Sequence, residues 1–444
     1  MSDHASQNAP VRLWEAFRFW LKLGFISFGG PAGQIAIMHQ ELVERRRWIS
    51  ESRFLHALNY CMLLPGPEAQ QLATYIGWLM HKTWGGIIAG ILFVLPSLFI
   101  LIFLSWVYIA FGEVNWVAGL FFGIKPAVTA IVLYAAYRIG SRALKNNFLW
   151  SIAIAAFIAI YGLQIPFPFI VLSAAITGYL GGRYWPKYFN ATNAHASTEK
   201  SYGAALIDDQ TPTPKHALFS YSGLTAVIIC GLILWTLPFL FLWTTYGWQH
   251  GFTQMAWFFT TAALLTFGGA YAVLPYVYQG AVTQHGWLTP TQMMDGLALG
   301  ETTPGPLIMV VAFVGFIGGY SQALLGAENL FIAGAIAASI VTWFTFLPSF
   351  IFIFAGAPFI ETTHKKIQFT APLSAITAAV VGVIVNLAVF FAYHIFWPQG
   401  FNGNFEWLSL AIAILAAIAL FQFKIGIIKV ILACALIGLL IRFM

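Results

Sequence analysis

Apolar residues run through this chain from end to end, interrupted only by short polar stretches. Many of the apolar runs reach about 20 residues, the length at which a helix crosses the ~30 Å hydrocarbon core of a bilayer. Runs of that length predict an all-α polytopic membrane protein with about 13 apolar segments. The composition agrees, because only 8% of the residues are charged, against about a quarter in a soluble domain.

The chain also contains an internal repeat, which points to a duplicated architecture. Three landmarks recur at one spacing of 239 residues, and two more recur later at slightly larger spacings. The pairs are Phe28-Gly29-Gly30 with Phe267-Gly268-Gly269, Trp48 with Trp287, Pro65-Gly66-Pro67 with Pro304-Gly305-Pro306, Leu95-Pro96-Ser97 with Leu347-Pro348-Ser349, and Lys125-Pro126-Ala127 with Ala371-Pro372-Leu373. We call the first, third and fourth pairs the Phe-Gly-Gly, Pro-Gly-Pro and Leu-Pro-Ser motifs.

The two copies and the two stretches between them divide the chain into four regions. The division predicts a first repeat at 1–183, a polar cytoplasmic linker at 184–216, an extra transmembrane helix at 217–246 and a second repeat at 247–444. One additional crossing between the copies would make the second repeat enter the membrane in the opposite direction. We therefore expect two sequence-related halves in inverted topology.

Basic residues support this inverted arrangement. The loop Arg45-Arg46-Arg47 corresponds to 284–286, which has no Lys or Arg, whereas Lys365-Lys366 lies in a loop that is not basic in the first copy. Cytoplasmic loops carry an excess of Lys and Arg. The charges predict a multi-pass membrane protein with its N-terminus inside, in the cytoplasm, and its C-terminus outside. The net charge of +6 then marks such loops and not a nucleic-acid partner.

The Pro-Gly-Pro motifs lie within apolar segments, where they interrupt a helix. We expect broken helices there and at the Phe-Gly-Gly motifs, either as re-entrant hairpins or as ordinary kinked spans. Broken helices in inverted repeats commonly build the substrate site, and each helix N-terminus carries about half a positive charge, which suits an anion. The predicted substrate-binding backbone comprises Gly29, Gly30, Pro65, Gly66, Pro67, Gly268, Gly269, Pro304, Gly305 and Pro306.

Side chains near these motifs could complete an anion site. The candidate cations are Lys125, Arg18 and Lys22, and the candidate hydrogen-bonding side chains are Gln70, Thr302 and Thr303. A lysine in an apolar run can instead pair with an acid, and basic residues near a segment end can anchor it beside anionic lipid. The hydrogen-bonding side chains can equally satisfy free backbone groups.

Two acids, Glu68 and Glu301, lie beside the Pro-Gly-Pro motifs and are candidates for proton coupling. Glu68 could instead cap the helix that follows it. The sequence has no Walker-type phosphate loop and no nucleophile motif, and its three cysteines lack metal-binding spacing. We therefore expect a secondary transporter without a cofactor or metal, and not an enzyme.

Taken together, the motifs resemble the signature of the chromate ion transporter family in its long-chain, two-domain form. The resemblance rests on Phe28 to Pro31, Glu41-Leu42-Val43, Trp48-Ile49-Ser50 and Leu64 to Pro67, and on the second copies of the motifs. It implies efflux of chromate, a tetrahedral dianion, across the bacterial inner membrane, so that the C-terminus would be periplasmic. Chromate resistance would be the result, and sulfate would compete. Transport would proceed by alternating access, driven by protons or by the membrane potential.

The second copy departs from the first at two motif positions. Ala270 replaces Pro31 and Leu307 replaces Glu68, so we expect a single asymmetric site. The alternatives are a sulfate or other oxyanion transporter of the same fold, a passive anion channel, and a membrane-embedded chromate reductase, which no cofactor motif supports. The expected partners are chromate, sulfate and membrane lipid, and a homodimer is compatible with the sequence.

Overall fold

The computed structural model describes residues 11–28, 30–112, 114–185, 202–209, 211–267, 269–363 and 370–443. These residues form helices, and the only β-pairing among them is an isolated bridge between Ile49 and Ile207. Before the linker the helices are α1 (Leu13–Ile26), α2 (Gly30–His39), α3 (Glu51–Cys61), α4 (Glu68–Phe111), α5 (Asn115–Ala143), α6 (Asn147–Tyr161) and α7 (Phe167–Tyr184). After it they are α8 (Tyr221–Tyr246), α9 (Gly251–Leu264), α10 (Ala270–Tyr278), α11 (Pro290–Thr302), α12 (Val310–Ser321), α13 (Leu330–Thr363), α14 (Thr370–Phe396), α15 (Trp407–Phe421) and α16 (Ile427–Phe443). The predicted all-α fold is confirmed.

The helices of the two halves correspond in order. Helices α1, α2 and α3 match α9, α10 and α11, and a π-helical turn follows α2 at 40–45 and α10 at 279–284, again 239 residues apart. Helix α4 matches α12 and α13 together, because α4 only kinks at His81 and Lys82, whereas a loop separates α12 from α13. That loop accounts for the wider spacing of the Leu-Pro-Ser motifs. Helices α5 to α7 match α14 to α16.

Among the described residues, five segments are long and apolar enough to cross a membrane, namely α4, α5, α8, Ala327–Thr362 and Ala371–Phe396. They support an integral membrane protein, while the count of about 13 segments stays a prediction. Helices α1, α2 and α3 have only 14, 10 and 11 residues, fewer than the ~20 that a full crossing needs. They are short because the chain breaks at the Phe-Gly-Gly and Pro-Gly-Pro motifs, as predicted.

The equivalent long helices α4 and α13 pack against each other in opposite directions. Gly90 packs against Phe350, and further along α4 the ring of Trp106 lies 6.3 Å from that of Phe331. Residue numbers rise along one helix as they fall along the other, so the pair is antiparallel. The two Leu-Pro-Ser motifs lie near the middle of this contact.

The last helix of each half packs on a long helix of the other half: α7 packs on α14, and α16 packs on α5. A Cβ added to Gly178 of α7 would meet the backbone of Ala371 and Pro372 in α14, and one added to Gly438 of α16 would meet the backbone of Gly123 in α5. Close approach through small residues is typical of helix packing in membranes. The two halves are therefore interlocked through α5 to α7 and α14 to α16.

The described part of the predicted linker packs on the first repeat. The Ser50 N–H donates to the Ile207 carbonyl at 3.0 Å, and the Ser50 hydroxyl donates to Asp209 at 2.6 Å. Ile207 is buried by this contact. Residues 186–201 of the linker lie outside the described residues. Residues 202–209 thus tie the loop before α3 to the start of the second half.

Candidate functional site

The two Pro-Gly-Pro motifs form tight loops after α3 and α11. Gly66 has a φ of +125° and Gly305 a φ of +102°, a region of backbone conformation that glycine enters without steric cost. Pro67 directly precedes α4, and Pro306 directly precedes a short 3₁₀ turn at 307–309. Each loop therefore leads into a new helical segment whose first N–H groups have no partner within the helix.

Each loop is hydrogen-bonded to the other half of the protein. The Gly66 N–H donates to the Thr266 carbonyl at 2.7 Å, and the Gly305 N–H donates to the Ser27 carbonyl at 2.8 Å. Thr266 and Ser27 are equivalent residues, because each immediately precedes a Phe-Gly-Gly motif. The two halves thus exchange the same hydrogen bond in both directions.

The Leu-Pro-Ser motifs pack on the same two glycines. A Cβ on Gly305 would lie 2.7 Å from the Cβ of Ser97, and one on Gly66 would overlap the hydroxyl of Ser349. Only glycine fits at either place. We call the whole arrangement the crossing; its Gly66 side consists of Gly66, Thr266 and Ser349, and its Gly305 side consists of Gly305, Ser27 and Ser97.

The two sides of the crossing differ in whether their hydroxyls take part in hydrogen bonds. The hydroxyls of Ser27 and Ser97 are buried, and neither has a hydrogen-bond partner among the described residues. On the Gly66 side, the Thr266 hydroxyl donates to a carbonyl of α9 at 2.7 Å, and Ser349 accepts from a glutamine amide at 3.4 Å. Buried polar groups are nearly always hydrogen-bonded. Two unpaired hydroxyls beside Gly305 therefore mark a place for water or a ligand.

Three buried glutamines add to the unsatisfied polar groups. The side-chain amide of Gln34 donates to the Gly305 carbonyl, that of Gln71 donates to the Pro65 carbonyl at 2.8 Å, and that of Gln70 donates to a threonine one turn later at 3.0 Å. The Oε1 atoms of all three have no partner within the described chain. Such carbonyls can accept from water or from a protonated ligand.

The helical segments that follow the two loops begin with different residues. Helix α4 begins with Glu68, and a carboxylate in a first turn is stabilised by the helix dipole. The equivalent residue, Leu307, is apolar and buried. The positive potential at the helix start is therefore opposed by an acid on the Gly66 side and left unopposed on the Gly305 side.

Glu301, three residues before the second Pro-Gly-Pro motif, is buried and already engaged. The hydroxyl of Tyr271 in α10 donates to its carboxylate. Glu301 thus links α10 to α11.

None of the three predicted cations makes a described contact with the crossing. Lys125 Nζ lies 3.5 Å from Asp295 Oδ2, and the hydroxyl of Tyr108 donates to the same oxygen at 2.8 Å. Arg18 and Lys22 are exposed on α1, and the Arg18 guanidinium lies 5.2 Å from the ring centre of a tryptophan in the same helix. Lys125 therefore pairs with a buried acid, which is one of the alternatives that its sequence position left open.

The other predicted residues are placed as follows. The hydroxyls of Thr302 and Thr303 donate to carbonyls of their own helix at 3.0 and 3.2 Å. Gly30 begins α2 with a φ of +69°, and Gly269 precedes α10 with a φ of +94°, so both predicted glycines occupy positive-φ positions at the breaks. The predicted residues outside the described part of the chain are Gly29 and Gly268.

A second charged cluster also joins the two halves. Arg53 Nη1 of α3 lies 3.2 Å from Glu361 Oε2 near the end of α13, and the Tyr75 hydroxyl donates to Glu361 at 2.5 Å. Arg53 Nη2 also donates to the carbonyl of Thr211 in the linker at 2.6 Å. The cluster joins α3 to the end of α13, just as the Asp295 cluster joins the equivalent helix α11 to the end of α4.

Sequence reasoning missed the side chains that line the crossing, in particular Ser27, Gln34, Ser97 and Ser349. The two serines of the Leu-Pro-Ser motifs had a signal, because that motif is one of the repeated landmarks. The two ion pairs had none, since their members are far apart in the sequence. In the described chain, no group of three or more His, Cys, Asp or Glu side chains could hold a metal ion.

Comparisons with known proteins find relatives along nearly the whole chain. The chromate transport protein of Pseudomonas aeruginosa is 31% identical over 437 residues, which cover 97% of this chain and 93% of that protein. The chromate transport protein of Cupriavidus metallidurans is 27% identical over 394 residues, covering 88% and 85% respectively. No solved structure matches the chain.

The repeat is also visible in these comparisons. An uncharacterized transporter of Bacillus subtilis is 31% identical over 159 residues, which make up 36% of this chain but 79% of that protein. A relative about the size of one repeat therefore exists as a separate chain. The family model for the chromate transporter matches residues 14–179 and again residues 253–439, one region in each half. The chain belongs to the chromate transporter family.

Proposed function

We propose that this protein is a secondary transporter that exports chromate across the bacterial inner membrane and so confers resistance to chromate. Membership of the chromate transporter family supports chromate as the transported ion. The observation that carries the site is the pair of buried, unpaired hydroxyls on the Gly305 side of the crossing. They offer an oxyanion two donors that no described protein group uses.

A tetrahedral dianion is expected to bind on the Gly305 side. Ser27 and Ser97 would donate hydrogen bonds to its oxygens, and the helix start at Leu307 adds about half a positive charge. The Gly66 side is less suitable, because Glu68 would repel an anion at short range. The result is one asymmetric anion site within a two-fold frame.

Sulfate is the second candidate substrate. The donors proposed here are uncharged hydroxyl and N–H groups, and they would meet the same tetrahedral arrangement of oxygens in sulfate as in chromate. None of the predicted cations makes a described contact with the crossing, and both ions are dianions. Charge therefore offers little basis for distinguishing sulfate from chromate. Discrimination between the two ions must then come from size, which is a weak criterion.

Alternating access is supported by the antiparallel packing of α4 and α13. If both helices span the membrane, the two halves have inverted topology, and the short helices at the crossing are re-entrant. Tyr108 and Glu361, near the C-terminal ends of these helices, then lie on opposite sides of the membrane. We assign the Arg53–Glu361 cluster to the cytoplasmic side, because Arg53 also binds the linker. Each cluster would close one side of the path and open in turn.

The membrane potential is sufficient to drive export of a dianion. Moving a negative charge out of a cell that is negative inside releases ~2.3 kcal/mol per charge per 100 mV, or ~4.6 kcal/mol for a dianion. Proton coupling through Glu68 or Glu301 would be an additional source of energy. Equal flux at fixed voltage with and without a pH gradient would remove proton coupling from the mechanism.

The proposal is tested by chromate uptake into inverted membrane vesicles that contain the protein. We expect saturable uptake that sulfate inhibits and that a lumen-positive potential accelerates, with chromium recovered as chromate. Saturable uptake of sulfate but not chromate would establish the second candidate instead. Flux that does not saturate would indicate a channel, and reduced chromium in the lumen would indicate a reductase.

A further inference from the structure

A cavity of about 590 Å³ lies between α4, α8 and α13. Its walls are almost entirely apolar and include Ile87 and Val94 of α4, Val227 of α8, and Phe346 and Phe350 of α13. All three helices contain segments long and apolar enough to cross a membrane. The cavity therefore lies at a depth where its surroundings are hydrocarbon.

The cavity opens towards the outside of the protein. Three of its wall residues, Ile91, Leu234 and Trp343, are 44%, 46% and 43% exposed. Helix α8 lies at the outside of the protein, because few of its residues are buried. Protein interiors leave few voids larger than a water molecule. An apolar space of this size beside the bilayer is therefore filled, and the available filling is lipid hydrocarbon.

The dimensions and charge of the cavity favour one kind of occupant. Along α4 the cavity runs from Thr83 to Leu98, which is ~22 Å of helix at 1.5 Å per residue. This length is enough to hold an acyl chain that extends through the ~15 Å depth of one leaflet. Lys82 is exposed next to Thr83, so a positive charge lies at the end where a phosphate headgroup would be. We propose that one acyl chain of a membrane phospholipid binds in this cavity.

The bound acyl chain would stabilise the helices that form the crossing. Leu95 and Leu347 both line the cavity, and each directly precedes the proline of a Leu-Pro-Ser motif. A proline removes a hydrogen bond from its helix and weakens it at that point. Hydrocarbon packed against both leucines would steady α4 and α13 where they hold Ser97 and Ser349. The lipid site does not depend on which anion is transported.

A cavity-filling substitution with a matched control tests the proposal. Val227→Trp fills the cavity, whereas Ile229→Trp adds the same side chain to an exposed position of α8 outside it. Native mass spectrometry of protein purified in mild detergent should show a retained phospholipid on the wild type and on Ile229→Trp but not on Val227→Trp. Equal retention by both variants, or no retention by the wild type, would overturn the proposal. Monodisperse elution of both variants confirms that they are folded.

The single exposed cysteine of the chain gives an independent measurement. Cys230 lines the cavity and is exposed, whereas Cys61 and Cys434 are buried. A lipid-soluble maleimide should react with Cys230 several-fold faster after delipidation, and added phospholipid should restore protection. A labelling rate of Cys230 that is the same with and without phospholipid would contradict the proposal. So would oxidative cross-linking of two chains through Cys230, because a second copy would then occupy the opening.

Discussion

Replacing Ser97 with alanine separates substrate binding from folding at the crossing. Ser97 is fully buried, and its hydroxyl has no hydrogen-bond partner among the described residues. Ser97→Ala therefore breaks no described hydrogen bond of the protein and leaves the Cβ in contact with Gly305. The free energy of unfolding should hardly change. Binding of an oxyanion should lose one hydrogen bond to a charged acceptor.

The size of the loss follows from the energy of that bond. A hydrogen bond to a charged group contributes about 1.5–3 kcal/mol, and each 1.4 kcal/mol is about a factor of ten in affinity. The chromate concentration for half-maximal uptake should therefore rise roughly 10- to 100-fold. The equivalent Ser349→Ala should raise it at most about fivefold, or ~1 kcal/mol, because Ser349 packs on Gly66, on the side of the crossing where no anion is proposed to bind.

The assay compares initial rates of chromate uptake by inverted vesicles for the wild type, Ser97→Ala and Ser349→Ala. The rates are normalised to the amount of protein measured by immunoblot, and thermal unfolding of the purified variants measures their stability. Equal effects of the two substitutions would refute the assignment of the anion to the Gly305 side. A large fall in the melting temperature of Ser97→Ala would show that the hydroxyl serves folding instead.

Three further changes test the surroundings of the crossing. Lys125→Ala should destabilise the protein by about 3–5 kcal/mol, because it leaves Asp295 buried without its cation. The Lys125→Ala/Asp295→Ala double variant should recover most of the stability and the transport. A double variant with the melting temperature of the wild type but without transport would show that the pair serves transport directly. Arg53→Ala should lower the melting temperature and expose to thiol reagents the side of the crossing that we assign to the cytoplasm. Unchanged accessibility would show that the Arg53–Glu361 pair does not close this side. Gly305→Ala should abolish folded protein, measured by size-exclusion chromatography, because its φ and the contact with Ser97 both exclude a Cβ.

The architecture could be predicted from sequence because it depends on pattern. Hydrophobic runs of membrane length and a repeat with constant spacing are both one-dimensional features. The π-helical turns at 40–45 and 279–284 keep that spacing, so the repeat in sequence is also a repeat in structure. The interlocking of α7 with α14 and of α16 with α5 could not be predicted, because it depends on which surfaces meet and no periodicity encodes that.

The candidate site was predictable only at the level of backbone. Gly66 and Gly305 were identified because proline and glycine break helices in a recognisable way. The side chains that distinguish the two sides were not, since Ser27 and Ser97 lie 70 residues apart and meet only through Gly305. Lys125 illustrates the same limit: an intramembrane lysine signals a function by default, but only the fold reveals that Asp295 faces it.

The interlocked frame constrains how alternating access can occur. Rocking one half against the other as rigid bodies would have to separate α7 from α14 and α16 from α5, where glycines bring the backbones into close contact. Those contacts join the halves through α5 to α7 and α14 to α16, whereas the crossing is made by the helices that precede them in each half. The two charged clusters also tie α3 and α11 to the ends of α13 and α4. If transport proceeds by the proposed alternating access, we therefore expect the short helices α1 to α3 and α9 to α11 to move against this frame. The path would then open to either side at the crossing.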